Sequence, residues 1–226
     1  MIALGIDTST PAGSVALVRE RRLLGEINLA TGGHHQARLL RSIDALLDLA
    51  GLDISDVGVL SVALGPGTFT GLRVGIATAK GLAVARMIPA FGFSSLAAMG
   101  HRFLDQGLPV AALIDAGRGE VYAALFRGEE GKLNEALPER SGSPGDFLAA
   151  LPPEPVLWCG DGVESLRNDI LRVRPGRDRL EDGPCFLGAT LAGLASERLE
   201  EGHTWSIASL KPNYIRPPDA EIGRRR

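Results

Sequence analysis

The first half of the chain contains Gly65-Pro66-Gly67-Thr68-Phe69-Thr70-Gly71-Leu72-Arg73, a glycine-rich stretch between two clear patterns. The apolar, β-branched run 57–64 before it predicts a buried strand. Residues 71–85 after it are rich in Ala, Leu and Gly, and they predict a helix. Thr70 is the predicted N-cap, since a threonine hydroxyl can satisfy free N–H groups of a first helical turn. The sequence therefore predicts a strand, a tight loop and a helix.

Three interpretations of this loop stay open on residue types alone. It could be a phosphate cradle, because glycines before a helix expose N–H groups to an anion. It could be a rigid turn that positions a helix for a protein partner, or an ordinary connection. It is not a Walker A motif, because Leu72 and Arg73 follow Gly71 where that motif has Lys and Ser or Thr.

Composition limits the classes of protein. The 226 residues suffice for one large or two small domains, and the formal net charge of −3 argues against nucleic-acid binding through the overall field. The basic run Arg224–Arg226 is interpreted as a solvated tail. Cys159 and Cys185 form no CxxC pair, so a buried apolar role is expected for them. Without a signal peptide or an apolar run of about 20 residues, we expect a cytoplasmic protein with no membrane contact.

The order of predicted elements repeats. The first half has strands at 2–6, 14–19, 23–29, 57–64 and 90–93, and helices at 31–51 and 71–85. The second half has strands at 109–114, 120–126, 132–137 and 156–159, and helices at 144–151, 163–171 and 188–201. Two βββαβα units predict an N-terminal lobe at 1–105 and a C-terminal lobe at 106–226. The helix 188–201 is a candidate to pack back on the first lobe.

Each unit opens with a strand that ends in aspartate, at Asp7 and at Asp115. Such duplicated units are typical of the actin, sugar-kinase and heat-shock ATPase plan, in which two such turns hold the phosphates and metal of a nucleotide. Asp7, Ser9 and Asp115 are therefore candidates for a vestigial nucleotide cleft. The alternative is that each aspartate only stabilises its own turn by an Asx-type hydrogen bond.

The residues resemble one known family. GPGTFTGLRVG at 65–75 closely resembles the GPGSFTGLR signature of the bacterial TsaB (YeaZ) family. Four weaker resemblances follow in the right order over nearly the whole chain: IDTST at 6–10, HQARLL at 35–40, IDAGRGEVYAALF at 114–126 and PNYIR at 212–216. This resemblance implies an α/β protein with the duplicated, actin-like (ribonuclease H-like) ATPase fold.

The resemblance also implies a function. Members of this family are subunits of the machinery that makes threonylcarbamoyladenosine beside the anticodon of tRNAs reading codons that begin with A. The expected partners are a TsaD-type catalytic subunit and a TsaE-type ATPase, with a homodimer when the partner is absent and only indirect contact with tRNA. No cofactor is expected to be required, and weak nucleotide binding is left open.

The histidines do not fit the metal site of the catalytic paralogue, TsaD, whose metal is held by a His-x-x-x-His pair. The four histidines are His34, His35, His101 and His203, and no two have that spacing. HExxH is absent too, which removes a zinc-protease interpretation. We therefore expect no catalytic residues and no metal site. The alternative from another class is an ATPase or kinase-like enzyme that uses Asp7 and Asp115.

A partner interface is expected on the two helices of the first lobe. The first helix has a wide apolar face, and the second has small residues that allow close helix packing. The candidate contact residues are Leu39, Leu40, Ile43, Leu46, Leu47, Val74, Ala77, Thr78 and Gly81. Leu46→Glu is expected to weaken dimerisation more than folding, unless Leu46 faces the chain's own core.

Overall fold

The computed structural model describes residues 1–30 and 35–215, and all of their side chains except those of 35–37. The chain forms two compact units. Unit 1 comprises Met1–Ala98 and Phe186–Pro212, and unit 2 comprises Met99–Cys185 with the described residues from Asn213 onward. The boundary therefore lies at Ala98, where sequence analysis placed it at residue 105. His34, Arg216 and Arg224–Arg226 lie outside the described residues.

The first half contains the predicted βββαβα order, followed by one more helix. Its elements are β1 (Ile2–Asp7), β2 (Gly13–Arg19), β3 (Arg22–Leu29), α1 (His35–Ala50), β4 (Val57–Gly65), α2 (Phe69–Arg86), β5 (Ala90–Ser94) and α3 (Ser95–Arg102). The predicted start of the first helix at Thr31 lies outside the described residues. Helix α3 was not predicted.

The N-cap prediction for α2 was wrong. The cap is Thr68, which is the last residue with extended backbone, and Thr70 lies inside the first turn. The reason is a tertiary hydrogen bond, since the backbone N–H of Thr68 donates to the carbonyl oxygen of Ser9 at 2.6 Å and fixes the end of the loop. The side chain of Thr68 makes no capping hydrogen bond.

The second half repeats the order. Its elements are β6 (Val110–Gly117), β7 (Glu120–Glu129), β8 (Lys132–Gly142), α4 (Pro144–Ala150), β9 (Leu157–Cys159), α5 (Gly162–Val173) and β10 (Arg179–Leu180), after which α6 (Gly188–Glu200) follows. Strand β8 is longer than predicted, because its pairing with β7 continues through two register shifts.

The two sheets have the same topology. The strand order is β3-β2-β1-β4-β5 in the first sheet and β8-β7-β6-β9-β10 in the second. In each, the opening strand is antiparallel to the next strand and parallel to the strand after the helix. Parallel neighbours place their carboxyl ends at the same edge, so β1 and β4 end together, as do β6 and β9. The predicted duplication is confirmed.

Unit 1 has three layers. Ala3 of β1 and Val59 of β4 belong to one apolar cluster with Ala192 and Ala195 of α6, so α6 covers that face of the sheet. Helices α1 and α2 pack on the other face, since side chains alternate along a strand. The hydroxyl oxygen of Ser14 on β2 accepts hydrogen bonds from the backbone N–H groups that begin α6, which fixes this helix to the first sheet.

Unit 2 has its core between its sheet and helices α4 and α5. Trp158 is fully buried and meets the ring of Phe147 edge to face. The indole N–H of Trp158 donates to the carboxylate of Asp178, which also pairs with the guanidinium of Arg174 at 2.6 Å. Both charges are buried, so the loss of either side chain would leave the other charge buried without its partner, which is strongly destabilising.

Candidate functional site

The loop between β4 and α2 packs directly on the turn that follows β1. Gly67, Gly71 and Gly75 all face this turn, and a Cβ atom on any of them would overlap Thr8 or Ser9. For Gly67 and Gly71 the overlap is with backbone carbonyl oxygens, which cannot rotate away. The glycines of the signature therefore permit a close approach between α2 and this turn.

Hydrogen bonds hold the same contact together. The hydroxyl of Thr8 donates to the carbonyl oxygen of Gly71 at 2.8 Å, and both residues are buried. The Thr68–Ser9 backbone bond lies beside it. We call the backbone and side chains of Thr8 and Ser9 the α2 socket.

Asp7 is hydrogen-bonded to Ser9 of the α2 socket. It is only 1% exposed, and its carboxylate oxygen Oδ1 accepts hydrogen bonds from the backbone N–H and the hydroxyl of Ser9, at 2.9 and 2.7 Å. Ser9 is fully buried. This is the Asx-type geometry of the alternative prediction.

The Asp7 turn does not fit the phosphates that an actin-like fold implies. A phosphate needs open N–H groups at a loop or helix start. Here the N–H of Ser9 is taken by Asp7, and the N–H of Thr68 is taken by Ser9. The chain's own glycine loop packs on the carbonyl oxygens of Thr8 and Ser9 in this turn.

The corresponding turn of unit 2 is open. Asp115 is exposed at the carboxyl end of β6, and its Oδ1 accepts from the N–H of Gly117 at 2.7 Å. Its own N–H donates to the carboxylate of Asp161 at 3.2 Å. Asp161 follows β9, the parallel neighbour of β6. Burial raises the pKa of Asp161 to about 6, and the charge of Asp115 adds to the shift.

Helix α2 presents an apolar outer face. Ala77 and Gly81 are exposed, and Val74 and Thr78 are half-buried. Near the end of α2, Val84 is 63% exposed. At its start, the guanidinium of Arg73 stacks over the ring of Phe69, 3.7 Å from its centroid. Four predicted contact residues thus lie on one helix face together with further apolar surface.

The structure corrects the expectation for helix α1. Leu39, Ile43, Leu46 and Leu47 are buried within unit 1, because α1 uses its wide apolar face to pack on β2, β3 and α2. Leu46, at 4% exposed, lies next to Gly25 of β3. Leu46→Glu would therefore bury a charge and unfold the chain, so it cannot test dimerisation. Of the five predicted contact residues on α1, all of which the structure describes, only Leu40 is exposed, at 52%.

Within residues 1–30 and 35–215, no three or more His, Cys, Asp or Glu side chains are grouped so that they could bind a metal ion. Within the same ranges, no helix has the length and apolar character needed to span a membrane.

Sequence reasoning missed two residues that the structure brings into these turns. Thr8 ties the turn to α2, and Asp161 lies against Asp115. The four-residue spacing of Gly71 and Gly75 was a visible signal, because it places both on one side of the helix. No comparable signal marked Asp161, since its pairing depends on strand order.

Comparisons with known proteins agree with this fold and with the signature. Residues 29–160 match the family model described as TsaD, tRNA N6-adenosine threonylcarbamoyltransferase. The tRNA threonylcarbamoyladenosine biosynthesis protein TsaB of Bacillus subtilis is 34% identical over 98% of this chain and 96% of its own length.

Comparison with solved structures also supports this fold and this family. A Pseudomonas aeruginosa protein described as similar to peptidase YEAZ superposes with a TM-score of 0.80, at 30% identity, covering 95% of this chain and 99% of that one. The activator of 2-hydroxyisocaproyl-CoA dehydratase from Clostridium difficile, at 14% identity and a TM-score of 0.52 over 91% of this chain and 100% of that one, shares the fold alone. The fold is thus the duplicated actin-like one that was predicted. This chain belongs to the TsaB (YeaZ) family of tRNA threonylcarbamoyladenosine biosynthesis proteins.

Proposed function

We propose that this chain is a non-catalytic subunit of the machinery that forms threonylcarbamoyladenosine in tRNA, and that it binds and activates a TsaD-type catalytic subunit. The names of its relatives support the pathway. The absence of a His-x-x-x-His pair from the sequence supports the division of labour, because the catalytic paralogue holds its metal with that pair.

The observation that carries this proposal is the outer face of α2. Ala77 and Gly81 are small and exposed, so a partner helix can approach the α2 backbone closely. Val84 and Leu40 add apolar area on the same helix pair. Exposed apolar surface of this kind is typical of a protein interface. Because a TsaD-type partner has a similar fold, the same face could also form a homodimer when the partner is absent.

The remaining assignments belong to the same proposal. A TsaE-type ATPase joins the pair, tRNA is contacted through the partner, and the complex works in the cytoplasm. We also propose that this chain requires no cofactor; in support, the N–H groups of Ser9 and Thr68 donate to acceptors within the chain.

Introducing a negative charge on the exposed face of α2 tests the proposal. Ala77→Glu places a carboxylate on the exposed face without touching the core, so the chain should stay folded and lose its partner. The matched control is Leu171→Glu, which adds the same charge on α5 of unit 2 at a side chain that is 47% exposed. The measurement is light scattering on a sizing column with the TsaD-type subunit of the same organism, followed by tRNA modification by the mixture.

We expect a one-to-one complex for the unchanged chain and for Leu171→Glu, and none for Ala77→Glu. Modification should require both subunits and fail with Ala77→Glu. Modification by this chain alone would disprove the non-catalytic role. Equal complex formation by both variants would remove α2 as the interface.

A nucleotide-dependent enzyme is the second candidate. The observation in its favour is the exposed Asp115 beside Asp161, at the carboxyl ends of two parallel strands where α/β proteins bind ligands. Titration calorimetry with Mg-ATP tests it. Low-micromolar binding that Asp115→Ala removes would favour this candidate over the subunit role.

A further inference from the structure

The start of α2 depends on a contact outside the helix. Its N-cap, Thr68, makes no side-chain hydrogen bond to the first turn. Helix starts leave several N–H groups without a partner in the helix, and a side-chain cap normally satisfies one of them. In this chain the first turn is held by the α2 socket, where the hydroxyl of Thr8 reaches the carbonyl oxygen of Gly71.

This contact lies directly beneath the outer face of the helix. Gly71 and Gly75 point into the socket, and Phe69 and Arg73 point away from it, stacked on each other. A shift of the first turn would therefore move the Phe69–Arg73 pair. The later turns are held separately, by buried side chains such as Ile76 and Ala79.

We propose that Thr8 is a positioning residue for partner binding, which fixes the first turn of α2 and with it the exposed Phe69–Arg73 pair. The proposal rests on the proposed function, because it takes α2, with this pair at its start, as the interface. Its physical basis is preorganisation. Without the Thr8–Gly71 hydrogen bond, the first turn samples other positions. Binding of the partner must then order this turn, and the entropy lost in doing so weakens the affinity.

The hydroxyl at Thr10 supplies a matched control. Thr10 belongs to the same turn and is also buried, and its hydroxyl donates to the carbonyl oxygen of Ala12 at 2.9 Å, within the turn. Thr8→Ala and Thr10→Ala each remove one buried hydroxyl that donates to a backbone carbonyl. Thr8→Ser keeps the hydroxyl and serves as the rescue variant.

Two quantities are measured for all three variants: the melting temperature of the chain alone, and its dissociation constant for the TsaD-type subunit by sedimentation. A buried hydrogen bond is worth up to about tenfold in an equilibrium constant. We expect both alanine variants to lower the melting temperature to a similar extent. Only Thr8→Ala should raise the dissociation constant, about fivefold to tenfold, and Thr8→Ser should restore it.

Hydrogen exchange gives a second readout that does not need the partner. Thr8→Ala should speed exchange of the amides in the first two turns of α2 and leave α6 unchanged. Equal dissociation constants for Thr8→Ala and Thr10→Ala would overturn the proposal. So would a Thr8→Ser variant as weak as Thr8→Ala. If Thr8→Ala does not fold, Thr8→Val, which removes the hydroxyl and keeps the volume of the side chain, takes its place in the same comparison.

The outcome is separable from failure of the proposed function. If Ala77→Glu abolishes the complex and Thr8→Ala does not weaken it, the interface stands and the positioning role fails. If Ala77→Glu leaves the complex intact, the interface itself is wrong, whatever the Thr8 variants do.

Discussion

The turns that follow β1 and β6 are built alike and end in different environments. Asp7 is the last residue of β1, and Asp115 lies near the end of β6. Each carboxylate accepts a hydrogen bond from the backbone N–H two residues later, at 2.9 and 2.7 Å. Asp7 is 1% exposed, whereas Asp115 is exposed. The same local chemistry therefore gives a structural carboxylate in unit 1 and a surface carboxylate in unit 2.

The glycines that follow the parallel neighbour strand also make different contacts in the two units. In unit 1, Gly67 packs on the carbonyl of Ser9 and Gly71 on the carbonyl of Thr8, the two residues after the aspartate. In unit 2, Gly160 packs on the carbonyl of Leu113, before the aspartate. Gly162, at the start of α5, lies against the backbone of Ile114 and Asp115, and the side chain of Asp115 stays exposed beside Asp161.

The largest expected effect is that of Gly71→Ala. Its methyl group would overlap the carbonyl oxygen of Thr8, so the helix or the turn must move, at a cost of about 3 kcal/mol of unfolding free energy. Gly81→Ala is the control, because a Cβ there meets nothing within 4 Å. Alanine in a helix should then stabilise by up to about 1 kcal/mol. Urea denaturation measures both, and equal effects would contradict the close approach at Gly71.

The second prediction compares the two aspartates directly. Asp7→Ala removes the acceptor of two buried hydrogen bonds and should cost about 2–3 kcal/mol. Asp115→Ala removes a bond at an exposed turn and should cost under about 1 kcal/mol. The measurement is again urea denaturation at neutral pH. Similar losses for the two variants would show that the turns are equivalent and that burial does not distinguish them.

The sequence predicted the repeated order of elements, because strand and helix periodicities are local properties. The family signature came from residue types at 65–73 alone. Sequence patterns could not predict which apolar residues stay exposed in the folded chain. Leu46 and Leu40 look alike on a helix with a wide apolar face, and only the position of β3 decides that Leu46 is buried. The Asp115–Asp161 pairing likewise depends on β9 lying beside β6, which is set by the whole sheet.

The smallest effect concerns pH and belongs to unit 2. The pKa of Asp161 is raised from 3.8 to about 6, first by burial and then by the charge of Asp115. Below about pH 4 the carboxyl holds its proton in both the folded and the unfolded chain, so stability is highest there as far as this group is concerned. Between about pH 4 and 6 the unfolded chain releases the proton first, and stability falls by about 2 kcal/mol before levelling off.

Asp161→Asn removes this dependence and keeps an oxygen that can accept from the N–H of Asp115. We therefore expect the variant to be more stable than the unchanged chain at pH 7.5, and equally stable at pH 4. Asp105→Asn, at an exposed site of the same unit, controls for the loss of one negative charge. Urea denaturation from pH 4 to 7.5 measures the slope. If Asp161→Asn is less stable at pH 7.5, the ionised carboxylate stabilises its turn, and the two halves of the chain use their aspartates alike.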